Sequence, residues 1–152
     1  MRNPSDADPL ALEQQVCFAL AVASRTVVSV YRPVLEPLGL THPQYLVMLA
    51  LWGAEPLSLS ELSRRIELDP ATLSRLLKRL ETAGLVRRDR DPADERALAV
   101  ALTPRGRELR EQALAVPGTV VDRLGLDLDD LMALHARLTD VIAAAKQAVV
   151  AG

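Results

Sequence analysis

The sequence predicts a mostly α-helical fold with one β-hairpin, and three observations predict it. Apolar residues recur at three- and four-residue spacing through most of the 152 residues, which is the period of amphipathic helices. The stretch "GLVRRDRDPADERALAVALT" alternates apolar and polar residues on both sides of the charged turn "DPAD", the pattern of two short strands. Just before it lie two short helical patterns, each with its own capping residue and only a few residues between them, as in a helix-turn-helix. The expectation is one domain over 1–152, with a winged helix-turn-helix core at about 55–103 between apolar-faced helices at about 10–38 and 104–150.

From Leu10 to about Leu35 the residues Val16, Leu20, Ala23, Val27, Val30 and Val34 form one stripe, with Cys17, Ala21, Ser24, Val28, Tyr31 and Leu35 beside it. This predicts a long helix that Pro33 kinks and that Pro37 and Gly39 end. "THPQYLVMLALW" opens with Thr41 three residues before Gln44, a capping box, and predicts a second, buried helix to Trp52. Ser58 and Glu61 form another capping box ahead of Leu59, Leu62 and Ile66. Asp69 then precedes Pro70, with Leu73, Leu76, Leu77 and Leu80 at core spacing and Gly84 as the stop. After the hairpin, Thr103 and Pro104 start a helix that Pro117 and Gly118 perturb. A last amphipathic helix is expected from about Asp127 to Val150, with Leu128, Leu131, Leu134, Leu138, Val141, Ile142 and Ala145 on one face.

Hydrophobic residues make up 49% and charged residues 25%, the balance of a globular protein and not of a disordered one. No uncharged apolar run approaches the roughly 18 to 20 residues that cross a bilayer, and the opening "MRNPSDADP" is polar. A cytoplasmic protein with no membrane partner is expected. One cysteine, two histidines and no Cys-x-x-Cys pair give neither an internal disulfide nor a zinc spacing, so no metal and no cofactor are expected.

Net charge is −2, but it is unevenly distributed: Ser60 to Arg110 carries 12 Lys and Arg against 9 Asp and Glu, and both flanks are acidic. A basic middle suits a polyanion partner. On the helix from Pro70, the residues Thr72, Ser74, Arg75, Lys78 and Arg79 lie off the leucine stripe, where a helix entering a DNA groove needs polar and cationic side chains. The hairpin adds Arg87, Arg88, Arg90 and Arg96; Arg96 is the expected minor-groove residue, oriented by Asp94.

The stretch "LSELSRRIELDPATLSRLLKRLETAGLVRRDRDPADERALAVALTPRGREL" resembles the winged-helix core of the multiple-antibiotic-resistance regulator (MarR) family over about fifty residues. The flanking helices suit the same family. The resemblance implies a homodimer with interlocked terminal helices, two winged lobes on a palindromic double-stranded operator, and repression relieved by a signal. The chain supports self-association independently, because the winged core is too small to cover both apolar terminal faces.

A lone cysteine on an apolar helix face is ordinarily a small core residue. Tyr31 lies 14 residues beyond Cys17, nearly on the same face but about 21 Å away along a continuous helix, so a tyrosine that touches this sulfur comes from a partner subunit. The segments "VCFALAVASR" and "VYRPVLEPLGLTHPQYLVMLALW", with the winged core, resemble the organic hydroperoxide resistance regulator (OhrR) branch of that family. The branch has a peroxide-reactive cysteine in its first helix, held by tyrosines of the other subunit. Cys17 matches that cysteine and Tyr31 one tyrosine. The branch commonly reads Thr-Tyr-Pro-Gln-Tyr where this chain has "THPQY", so His42 stands at the second tyrosine position, and Ala21 stands where some members carry another.

The resemblance implies a regulator, not an enzyme, that senses an organic hydroperoxide through Cys17. Without a second cysteine, the oxidised sulfur is protected by a small thiol or as a cyclic sulfenamide. A thiol peroxidase is disfavoured, since no resolving cysteine is present. The alternative is a repressor released by a small aromatic or phenolic ligand, with Cys17 as packing. Tyr45 and Trp52 are expected in the core, Tyr45 bordering the sulfur pocket, and His135 at the interface.

Overall fold

The computed structural model describes residues 8–91 and 94–152, with backbone alone at 91 and 95–97. The chain divides after Val116 into two compact units.

In the first unit, α1 spans Val16–Leu35. The apolar period predicts this helix from Leu10, but it begins six residues later, behind a single 3-10 turn at Leu12–Gln14. Gln15 is extended (ψ 119°), and its side-chain amide donates to the carbonyl oxygens of Pro9 and Ala11, closing the turn instead of propagating the helix. Pro33 lies inside α1, and the chain leaves through a 3-10 turn at Glu36–Leu38 and the left-handed Gly39 at φ +70°. Val16–Leu38 has the length and apolarity of a membrane-crossing helix; the uncharged-run criterion passes over it because Arg25 and Arg32 interrupt it.

Helix α2 (His42–Gly53) and helix α3 (Leu59–Ile66) each start with both bonds of a capping box formed, Thr41 with Gln44 and Ser58 with Glu61. Helix α4 (Pro70–Thr82) is capped by Asp69. Strands β2 (Val86–Asp91) and β3 (Asp94–Leu102) form the expected hairpin. A two-residue strand β1 (Leu57–Ser58), not foreseen, pairs with β3 so that Leu57 faces Val100, giving the antiparallel order β1-β3-β2. Leu35, Met48, Leu51, Leu62, Leu73, Leu77, Leu80, Val100 and Leu102 are at most 2% exposed and make the core. Each contributes about 2 kcal/mol by leaving water.

Helix α5 (Pro104–Ala113) is locked to the end of α4. The Thr103 hydroxyl donates to the Gly84 carbonyl (2.6 Å) and accepts the Gly106 N–H; the Thr103 N–H donates to the Leu85 carbonyl (3.1 Å), and Arg105 to that of Ala83 (3.0 Å). Gly106 lies so close that a Cβ there would stand 2.1 Å from the Leu85 oxygen. The indole N–H of the half-buried Trp52 donates to the Gly106 carbonyl (2.9 Å), which adds α2 to the same junction.

Helix α6 (Val116–Leu124) starts at the unit boundary and contains Pro117 and Gly118 near its beginning. Helix α7 (Leu128–Ala151) is capped by Asp127, whose carboxylate accepts the N–H groups of Asp129 and Asp130, and it has no buried residue. Met132, Leu134, Val141 and Ile142 are all exposed on it.

Two glycines with opposite surroundings test this packing. Gly106→Ala lowers stability by about 2–3 kcal/mol, because the displaced atom is backbone and cannot swing aside. Gly118→Ala, with nothing within 4 Å of its added carbon, raises stability by about 0.5–1 kcal/mol. Urea denaturation of both variants checks the pair, and equal effects contradict the described junction.

Candidate functional site

Among the described residues, two groups of side chains carry chemistry, and both lie in the first unit. Along α4, Leu73, Leu77 and Leu80 are buried while Ser74, Arg75, Lys78 and Arg79 are exposed on the other side. The helix thus holds to the core by one face and presents a hydroxyl and three cations on the other. Thr72 is half-buried: its hydroxyl donates to Asp69 Oδ1 (2.6 Å) and its N–H to Oδ2 (3.0 Å). These bonds, the hydroxyl's first, hold the Asp69 carboxyl below the usual carboxylate range. They also commit the Thr72 proton, so that side chain offers an incoming partner only acceptor lone pairs.

The hairpin residues separate into different environments. Arg87 is 55% exposed and pairs with Asp89 at 2.8 Å, and Arg90 is exposed. Arg88 is only 21% exposed; its Nε–H donates to Glu81 of α4, and its terminal nitrogen donates to the Ser74 carbonyl (3.4 Å). Arg88, one of the cations expected to face DNA, thus lays its side chain against α4. Asp94 is at the start of β3, opposite Asp91 in the ladder. The Arg96 side chain, and so its expected orientation by Asp94, lies outside the described residues. Helix α3 adds exposed Arg64 and Arg65, which sequence reasoning did not single out, although two adjacent arginines in a helix-turn-helix are a visible signal.

The second group lies where α1 meets α2. Tyr31 and His42 are in edge contact, with ring centroids 4.9 Å apart and planes at 64°. Tyr45 joins them, 6.0 Å from Tyr31 and 6.5 Å from His42. Burial lowers the pKa of His42, so its neutral form is favoured. Burial, and then the proximity of Tyr31, raise that of Tyr45. Tyr45 was expected in the core and is buried, but it is also a member of the ring cluster; its i+3 relation to His42 on one helix face is the signal for that. Cys17 is exposed on α1 and is not brought to these rings within its own chain. It lies four helical turns before Tyr31 on the same helix.

Residues 40–98 match the MarR family. The chain is similar to the HTH-type transcriptional regulator TtmR of Methylorubrum extorquens (strain PA1), 46% identical over 134 residues that cover 88% of this chain and 69% of that one. It is also similar to the organic hydroperoxide resistance transcriptional regulator of Bacillus subtilis (strain 168), 39% identical over 131 residues, 86% of this chain and 89% of the relative. Among solved structures, reduced AbfR bound to DNA matches with a TM-score of 0.71 at 33% identity, covering 88% of this chain and 93% of AbfR, a protein of Staphylococcus epidermidis. These likenesses run over most of the chain and agree with its capped α3–α4 pair and hairpin: the chain belongs to the MarR family of winged-helix transcriptional regulators.

Proposed function

We propose that the protein is a homodimeric, cytoplasmic DNA-binding repressor that reads a palindromic operator with α4 and releases it when an organic hydroperoxide oxidises Cys17. The observation that carries the DNA-binding part is the division of α4 into a buried leucine face and an outer face of Ser74, Arg75, Lys78 and Arg79. That division supports major-groove entry by the outer face, with Thr72 near the helix start, and minor-groove entry by Arg96 at the wing. The exposed apolar residues of α7 and of Leu10, Leu12, Val16 and Phe18 support burial against a second copy.

For sensing, the supporting observation is the separation of Cys17, near the start of α1, from Tyr31 near its end and from the His42 and Tyr45 rings that α2 packs against Tyr31. A two-fold partner running antiparallel to α1 would place its rings against this sulfur. The Cys17 thiolate attacks the terminal oxygen of the hydroperoxide and the O–O bond breaks. The alkoxide leaves as an alcohol after taking a proton, and the sulfur becomes a sulfenic acid, oxidised by two electrons. A small thiol then condenses with it, releasing water and forming a mixed disulfide. A polar or bulky group at the dimer seam changes the spacing of the two lobes. One peroxide is consumed per cysteine, which makes the protein a sensor and not a peroxidase.

A second reading has an observation of its own. A cavity of about 540 Å³ is lined by the apolar Val28, Leu40 and Pro43 together with Arg32, Glu36, Thr41 and His42, apolar walls with a few hydrogen-bonding groups that suit a small phenolic or aromatic ligand. In that reading Cys17 only packs.

The test is DNA binding before and after one equivalent of cumene hydroperoxide. Wild type loses at least about tenfold in affinity, the size of an ordinary allosteric coupling, and a thiol reductant restores it, whereas Cys17→Ser keeps binding throughout. Equal binding by both proteins, with no response, overturns the sensing mechanism and favours the ligand reading. At the interface, Lys78→Ala lowers the slope of log affinity against log salt by about 0.9 for each phosphate that the lysine neutralises.

His42 gives a prediction in pH. Its folded-state pKa lies below the ordinary 6.5, so the unfolded chain takes up the proton first as pH falls. Stability is full above that value and declines as pH drops through it. Between pH 7.5 and 5.5 the denaturation midpoint of wild type therefore falls more than that of His42→Tyr, and parallel curves contradict the burial of a neutral imidazole.

A further inference from the structure

We infer that Glu81 and Arg88 form a latch that sets the angle between the reading helix α4 and the wing, and so determines sequence discrimination without touching DNA. This rests on the DNA-binding reading above and assigns Arg88 a role different from that of its cationic neighbours.

The geometry carries it. Arg88 follows Val86 on the same face of β2, the side that packs on α4, and in the ladder it faces the fully buried Val100. Arg87, pointing the other way, is 55% exposed, against 21% for Arg88. On α4, Ser74 and Glu81 are two turns apart. A helical carbonyl points toward the C-terminus, and a long helical side chain leans back toward the N-terminus, so the Ser74 oxygen and the Glu81 carboxylate converge from opposite directions on one guanidinium. The planar fork of arginine meets both acceptors at once, which an ammonium cannot do in the same geometry.

The consequence for recognition follows from the difference between contacts. Phosphate contacts are electrostatic and tolerate small displacements, whereas base-edge contacts need defined geometry. The latch closes directly on the backbone of Ser74, in the middle of the proposed reading face. Loosening it removes no cation from the outer face of α4 but lets Ser74, Arg75 and Lys78 drift relative to the wing.

The experiment uses the full-length protein, a duplex selected by wild type from a randomised library, and a scrambled duplex of equal length. Affinities are measured over a range of KCl concentrations for wild type, Glu81→Gln, Arg88→Met and the double variant, with thermal unfolding of each free protein. Each single variant is expected to bind the selected duplex about tenfold more weakly, the loss of one well-placed base contact. Binding to the scrambled duplex and the salt slope stay unchanged, and the double variant is no worse than either single one. If Arg88→Met instead weakens both duplexes alike and lowers the salt slope by about 0.9 per phosphate, while Glu81→Gln has no effect, Arg88 is a phosphate contact and the inference is overturned. Unchanged affinities in all variants overturn it as well. Failure of wild type to prefer any duplex overturns the DNA-binding reading itself.

Discussion

The first unit depends on one close approach, the backbone of Leu85 against that of Gly106. The turn that ends α4 and the turn that starts α5 meet there with no side chain between them, and bonds from Thr103 and Arg105 to three successive carbonyls hold them together. Because Trp52 bonds to the same glycine, the contact fixes the far end of α2 as well. The ring cluster of Tyr31, His42 and Tyr45 sits at the near end of α2, so the rings and the proposed reading face of α4 belong to one mechanically continuous body. A displacement imposed on the rings has a short, stiff route to α4 through α2 and the junction, since packed cores shift between discrete arrangements and do not deform smoothly.

The same arrangement bears on the proposed action of the Cys17 thiol at a distance. A helix of 20 residues is about 30 Å long, and it carries Cys17 near its start and Tyr31 near its end. Neither end can reach the other within the chain. The proposed second copy resolves this, because its α1 runs the opposite way and its rings meet this sulfur. Oxidation would then act on the seam between the copies, from which the partner's α2 leads to the partner's reading helix.

Much of this was legible in the sequence because the signals are local. Thr41, Ser58, Asp69 and Thr103 all cap the helices that follow them, since a capping hydroxyl or carboxylate needs only the next three residues. The hairpin was legible for the same reason. What was not legible depends on distant parts of the chain. Strand β1 is two residues long and exists only because β3 offers it a ladder. The start of α1 was set by the Gln15 amide turning back on Pro9 and Ala11, which apolar periodicity does not register. At the candidate site, the exposed cations of α4 follow from periodicity, but the pairing of Arg88 with Glu81 does not, because charge type does not report which face of a strand meets a helix. Tyr45 was placed in the core correctly, yet its contact with Tyr31 depends on how α1 crosses α2.

Whether Cys17 works with rings of the other subunit is decided by mixed dimers. A chain carrying Cys17→Ser is paired with one carrying Tyr31→Phe and His42→Phe, and sulfenic acid is trapped with dimedone after an organic hydroperoxide pulse. In this pairing the one remaining Cys17 faces the intact rings of its neighbour. That cysteine is expected to label at the wild-type rate, with the double ring variant paired to itself far slower. Labelling in the mixed dimer as slow as in the ring variant would place sulfur and rings in one chain and contradict a site shared between subunits.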